Sequence, residues 1–106
     1  MLNDSPQVQA IRNRFRNSFN EKKQVIDTFI VNMESFQRQA NDVLLKSELE
    51  SCHGELHKLA GSFGMYGYTE ISETCRASMA AISNASVNEA LTLLKKISAL
   101  LEEFDG

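Results

Sequence analysis

His57 stands in a run that favours access over stability. Ala60, Gly61 and Gly64 follow it at three, four and seven positions, spacings that put all four on one face if the segment is helical. A glycine inside a helix costs about 1 kcal/mol relative to alanine, so two of them beside one histidine suggest that something large must come close to the ring. A neutral imidazole is a nucleophile available near pH 7. On spacing alone the competing reading is a histidine at the edge of a core, without chemistry. His53, four residues earlier, raises a second possibility, because two imidazoles at that spacing can share a metal ion. The string His53-Gly54-Glu55-Leu56-His57 is not the zincin pattern, however, since its glutamate is in the wrong place after the first histidine, and no third ligand is apparent.

Positioning such a face takes long helices, and the sequence is patterned for them. Val8, Ile11, Phe15, Phe19, Ile26, Phe29, Met33 and Phe36 recur at intervals of three, four or seven, which is one apolar stripe. Ser5 can cap this helix, with Pro6 as its first residue, a position that has no amide bond to lose. One long helix to about residue 39 is the favoured reading, and Lys22, out of pattern in the stripe, marks 18–23 as the place for a kink or break. A second helix should open at Ser47, where Ser47 and Glu50 form a capping-box pair, bury Leu49, Cys52, Leu56, Leu59 and Phe63, and end at Gly67. The third should start near Thr69 and carry Ile71, Cys75, Met79 and Ile82 inward. After a turn at 83–86, Ser86 with Glu89 repeats the capping box before Val87, Ala90, Leu91, Leu94, Ile97, Leu101 and Phe104. Four amphipathic helices with short connections predict an all-α fold, an antiparallel up-down four-helix bundle, with residues 1–106 as a single domain.

Composition narrows the function classes. A chain of 106 residues with 42% hydrophobic content, five glycines and one proline can bury a single core. A net charge of −3 with scattered Lys and Arg provides no basic stripe, which argues against nucleic acid as the main partner. No apolar run approaches the roughly 20 residues of a bilayer span, and the first residues lack a secretion-signal pattern. Cys52 and Cys75 have neither Cys-x-x-Cys spacing nor partner clusters, so both read as reduced thiols in a cytoplasmic protein.

The string His57-Lys58-Leu59-Ala60-Gly61, followed by Ser62, Gly64 and Gly67, resembles the signature of histidine-containing phosphotransfer (HPt) domains. The resemblance covers residues 47–104 well and the first helix only in kind. It implies a helical bundle that carries phosphate without a kinase or ATP-binding region. His57 would be the phosphoacceptor through Nε2, taking a phosphoryl group from a receiver-domain aspartyl phosphate and passing it to another receiver. Lys58, Gly61 and Gly64 would support the phosphoryl group or face the receiver, and His53, Ala60, Ser62 and Tyr68 would belong to the docking surface. The partners implied are response-regulator receivers, among them the receiver of a hybrid sensor kinase. The carrier would need no cofactor or metal of its own, with Mg²⁺ on the receiver. Many family members have a second lysine three residues after the histidine, where this chain has Ala60. Some also hold the other ring nitrogen from the next helix, for which Ser72, Arg76 and Ser78 are candidates. Two other readings compete: an interaction module that never accepts phosphate, and a metal-binding bundle using His53 and His57.

Overall fold

A computed structural model describes residues 5–104 of the chain. It contains α1 (Pro6–Asn17), α2 (Phe19–Arg38), α3 (Asp42–Met65), α4 (Thr69–Ser83) and α5 (Val87–Phe104). Helices α2 to α5 form the four-helix bundle, each packed on its neighbours in sequence and α5 closing the ring against α2. The apolar positions at helical spacing turn inward. Phe19, Ile26 and Met33 from α2, Cys52, Leu56 and Phe63 from α3, Ile71 and Cys75 from α4, and Leu94, Ile97 and Leu101 from α5 are fully buried in one cluster. No strand occurs among the described residues.

The first apolar stripe is divided where Lys22 falls out of pattern. Ser18 ends α1 with φ −86° and ψ −1°, and its N–H turns back to the Phe15 carbonyl at 3.0 Å, the tightening that ends an α-helix. Lys22 lies in the first turn of α2 beside the break, where its Nζ donates to Ser18 Oγ at 2.7 Å and lies 4.9 Å from the Phe15 ring centre. Burial of that ammonium pushes its pKa down, against the partly opposing charges of Glu21 and Glu55. The expected single long helix is therefore two. Ser5 does cap the first, accepting from the Val8 amide at 3.2 Å. No residue of α1 is buried; Phe15 fastens it by stacking on Tyr66 with centroids 4.2 Å apart and meeting Phe19 and Phe63 edge-on. A long dimension of 52 Å, against about 36 Å for a 24-residue helix, fits an α1 that prolongs α2 past the end of the bundle.

The helix that carries His57 also begins earlier than its capping box suggests. Asn41 caps α3, with Oδ1 accepting from the Leu44 amide at 3.1 Å, and Ser47 lies exposed inside the helix. The turn that makes this possible is a Schellman closure: Ala40 N–H to Gln37 O at 3.1 Å and Asn41 N–H to Phe36 O at 2.9 Å, with Ala40 at φ 53°. The α3 end is the same motif with its preferred residue, Gly67 at φ 87° and Tyr68 N–H bonding Phe63 O at 2.8 Å. The α4 end repeats it with Ala85 at φ 59°. All three turns of the bundle are thus closed by backbone bonds, two of them with alanine where glycine is the cheaper residue.

Candidate functional site

On α3 the face opposite the core carries Gly54, His57, Gly61 and Gly64, spaced by three, four and three residues. His57 is exposed, and no side chain among the described residues hydrogen-bonds either ring nitrogen. The glycines beside it differ in kind. A Cβ added at Gly61 or Gly54 would meet nothing within 4 Å, whereas one at Gly64 would come 3.2 Å from Ser72 Oγ. Gly64 thus has a reason inside the molecule, the close approach of α4. Gly61 has none. A residue that forgoes helix stability without gaining a contact of its own leaves room for a contact from outside.

Lys58 adjoins His57 but lies about 100° round the helix, where Nζ reaches Glu55 Oε2 at 3.5 Å with its side chain 76% exposed. An exposed pair of that kind is worth at most about 1 kcal/mol, so the ammonium is easily drawn off. Its Nζ is free to turn toward charge developing at the imidazole.

Three of the residues expected on the docking surface are placed differently. Ala60 is buried, and its carbonyl accepts the Ser72 hydroxyl at 2.7 Å; the position packs α3 on α4, because it lies about 60° inward of His57. Ser62, half-buried, is about 140° round the helix from His57 and off its face. Tyr68 is half-buried, its ring 5.1 Å from Phe19, 5.7 Å from Phe104 and 6.0 Å from Phe63, so it belongs to the aromatic cluster at that end of the bundle. His53 does adjoin the face. It is half-buried on the rim of a groove shared with Lys46, Glu50, Ile82 and Ser83.

Among the three candidates on the next helix, Ser72 donates to Ala60 O and Ser78 donates to Thr74 O at 3.0 Å, both buried. Arg76 is exposed, its Nη2 4.0 Å from where a Gly64 Cβ would stand. It lines a shallow groove with Gly61, Gly64, Met65, Thr69, Ser72 and Glu73. For His53 and His57 the fold assembles no set of three His, Cys, Asp or Glu side chains fit to hold a metal ion, among the described residues. Burial pushes the Cys52 and Cys75 thiols up to about 12, which leaves them protonated and outside the chemistry. Gly54 is the member of the face that the motif did not single out. Its signal was a third helix-interior glycine at the same spacing.

A family model described as Hpt domain matches residues 24–106. The chain belongs to the Hpt domain family. The match takes in most of α2 and all of α3, α4 and α5, and leaves α1 outside. Neither a curated protein nor a solved structure matches the chain. Hpt domains are phosphocarriers rather than enzymes, acting by histidine phosphotransfer with receiver domains in two-component phosphorelays. No helix among the described residues is long and apolar enough to cross a membrane.

Proposed function

We propose that this Hpt domain is a cytoplasmic phosphorelay intermediate in which His57 accepts a phosphoryl group from one receiver aspartyl phosphate and delivers it to another receiver's aspartate. The observation that carries the reading is the pairing of an exposed, unheld imidazole with Gly61, a helix-interior glycine that no contact within the molecule requires.

In the first step the Nε2 lone pair of the neutral imidazole attacks phosphorus. The P–N bond forms as the P–O bond to the aspartyl carboxylate breaks, and the carboxylate leaves with that electron pair. The proton on Nδ1 of the resulting phosphoimidazolium passes to solvent. Delivery to the second receiver reverses these bonds, with its aspartate as nucleophile. Catalysis of such a transfer rests on in-line positioning and neutralised charge. Gly61 supports positioning by clearing the approach beside the ring, and Lys58 supports neutralisation once it leaves Glu55. The Mg²⁺ belongs to the receiver in this proposal, and the carrier contributes the nucleophile, the cleared face and one ammonium. With Ala60 in place of a second lysine, Lys58 is the nearest cation on α3.

The test is labelling by phosphorylated receivers with Mg²⁺, read as acid-labile, base-stable phosphate by intact mass and ³¹P NMR, with His57→Gln alongside. Label on the parent and none on the variant is the expected result. An intact fold that no receiver labels would sink the relay and leave a phosphate-independent interaction module as the reading.

A further inference from the structure

Helix α1 lies outside the Hpt match, and its outer turns have no partner in the molecule. Its backbone lies against α2 alone, and none of its residues is buried. Of its apolar stripe, Phe15 reaches the aromatic cluster, while Ile11 stays 47% exposed. Val8, Ile11 and Arg12 line a groove of about 340 Å³ with Tyr66 and Met65, whose side chain is 78% exposed. The charged residues of α1 are Arg12, Arg14 and Arg16, with no carboxylate beside them, and none is in an ion pair among the described residues. An occupant that matches this face is apolar and acidic.

The chain carries such an occupant at the same end of the molecule. Phe104, the last residue of α5, is 38% exposed with its ring 5.7 Å from Tyr68, and Tyr68 also meets Phe15 at the foot of α1 with ring centres 6.1 Å apart. Glu102 and Glu103 precede it, both exposed and in no ion pair among the described residues. The lysines at this end are engaged within their own molecule, Lys22 on Ser18, Lys23 on Asp27 and Lys96 on Glu70. We propose that two copies of this chain associate end to end about a two-fold axis, α1 of each lying on the α5 end of the other. The partner's Phe104 seats against Val8, Ile11 and Met65, and the partner's Glu102 and Glu103 face Arg12 and Arg16.

Three considerations select a second copy. Within one molecule α5 stops at the foot of α1, whereas Ile11 and Val8 lie about 6 and 10 Å farther out at 1.5 Å per residue. Both halves of the contact sit at one end, so a single two-fold axis satisfies both at once, as an isologous dimer requires. Setting aside Arg12, Arg14, Arg16 and Asp4 from the chain's 11 basic and 14 acidic residues leaves eight against thirteen, so the body of each molecule attracts the other's α1. A 12-residue helix about 18 Å long presents about 300 Å² on one side. Giving one such face and receiving another buries about 600 Å² per partner, the lower end of the range for specific interfaces.

Sedimentation velocity on the full chain at low salt should show the average mass rising from 11.9 kDa toward twice that value. An interface this small places the rise between roughly 5 and 500 μM, and added salt should move it to higher concentration. Ile11→Glu changes an exposed position on a helix without buried residues, so it should hold the monomer mass throughout with the thermal melt unchanged. Arg12→Glu with Arg16→Glu should do the same, and adding Glu102→Arg and Glu103→Arg should restore self-association, because the reversed charges meet again across the axis. A parent that keeps the monomer mass at every concentration overturns the second copy as occupant, even where α1 binds an acidic segment of another protein. Dimers that survive Ile11→Glu, or a folded quadruple variant that stays monomeric, overturn the contact between α1 and α5.

Discussion

Replacing Gly61 by alanine should make the protein more stable and a worse carrier. The stability half follows from geometry: an added Cβ meets no atom within 4 Å, so nothing opposes the propensity gain of about 1 kcal/mol. For a domain of this size that is a rise in Tm of about 4–8 °C. The functional half follows from where the methyl goes. It projects about 40° from His57 on the same face, into the space assigned to the receiver. Overpacking a fitted contact costs about 1–3 kcal/mol, which converts to about 5- to 140-fold weaker receiver binding. Thermal melts and the receiver-concentration dependence of His57 labelling are the two assays, and Gly64→Ala is the internal control. There the new methyl would lie 3.2 Å from Ser72 Oγ, whose bond to Ala60 O it would disturb, so the melt should gain less than in Gly61→Ala or fall. A Gly61→Ala protein that melts higher yet takes phosphate at the parent's half-saturating concentration would refute the argument that the glycine serves a partner. An unchanged or lower melt would refute the claim that the fold does not need it.

The turns, the thiols and one carboxylate provide further tests. Ala40→Gly and Ala85→Gly, each relieving a positive φ of 53° or 59°, should each stabilise by about 0.5–1 kcal/mol in urea titrations, the left-handed penalty less the extra freedom of an unfolded glycine; no gain at either site would contradict the assigned turns. Cys52 and Cys75 are fully buried with thiols raised to about 12, so Ellman's reagent should leave both untouched until denaturant is added, and fast stoichiometric reaction in native buffer would be the disproof. Burial pushes the Asp27 carboxyl up, but hydrogen bonds from Ser98 Oγ at 2.6 Å and Lys23 Nζ at 2.9 Å, with the Lys23 charge, hold it below its ordinary value. A depressed folded pKa contributes stability above the unfolded value of about 3.9. That contribution should fade as pH falls through the folded pKa, so Asp27→Asn should be less stable than the parent at pH 7 and converge on it in acid; a gap that does not narrow as pH is lowered below the unfolded value would argue against the linkage.

The interior of the bundle was legible because helical spacing reports burial directly. Phe19, Ile26, Met33, Leu56, Phe63, Leu94 and Ile97 were all read from intervals of three, four and seven, and all are buried. Boundaries were less legible because they turn on local competition between polar groups. Asn41 took the cap expected of Ser47 with Glu50, because Ala40 just before it accepts a left-handed turn that its residue type does not announce; Ala85 does the same at the end of α4. Lys22 marked the region of the first break, but the Ser18 N–H turned back to the Phe15 carbonyl fixes the residue. At the site, the motif located His57 and its face, while the direction of the neighbouring side chains needed the fold. Ala60 turns in toward α4, Ser62 lies off the face, and Tyr68 joins an aromatic cluster with Phe19 and Phe104 that its place after Gly67 could not reveal.

The two faces of α3 divide stability from access. Gly54, Gly61 and Gly64 together forgo about 3 kcal/mol of helix propensity within three turns, and a helix so composed would not persist alone. It persists because Cys52, Leu56, Leu59, Ala60 and Phe63 are buried on the opposite side, where one fully buried leucine is worth about 1.5–3 kcal/mol. The Asn41 cap and the Gly67 turn close its ends. With the backbone held from the inside and at both termini, the outer face has no structural duty except at Gly64, which admits α4, and the rest of it can be shaped for a partner alone. That freedom is what lets an exposed imidazole sit in a stretch of bare backbone on a rigid element, so that a receiver can approach it closely without the helix having to move.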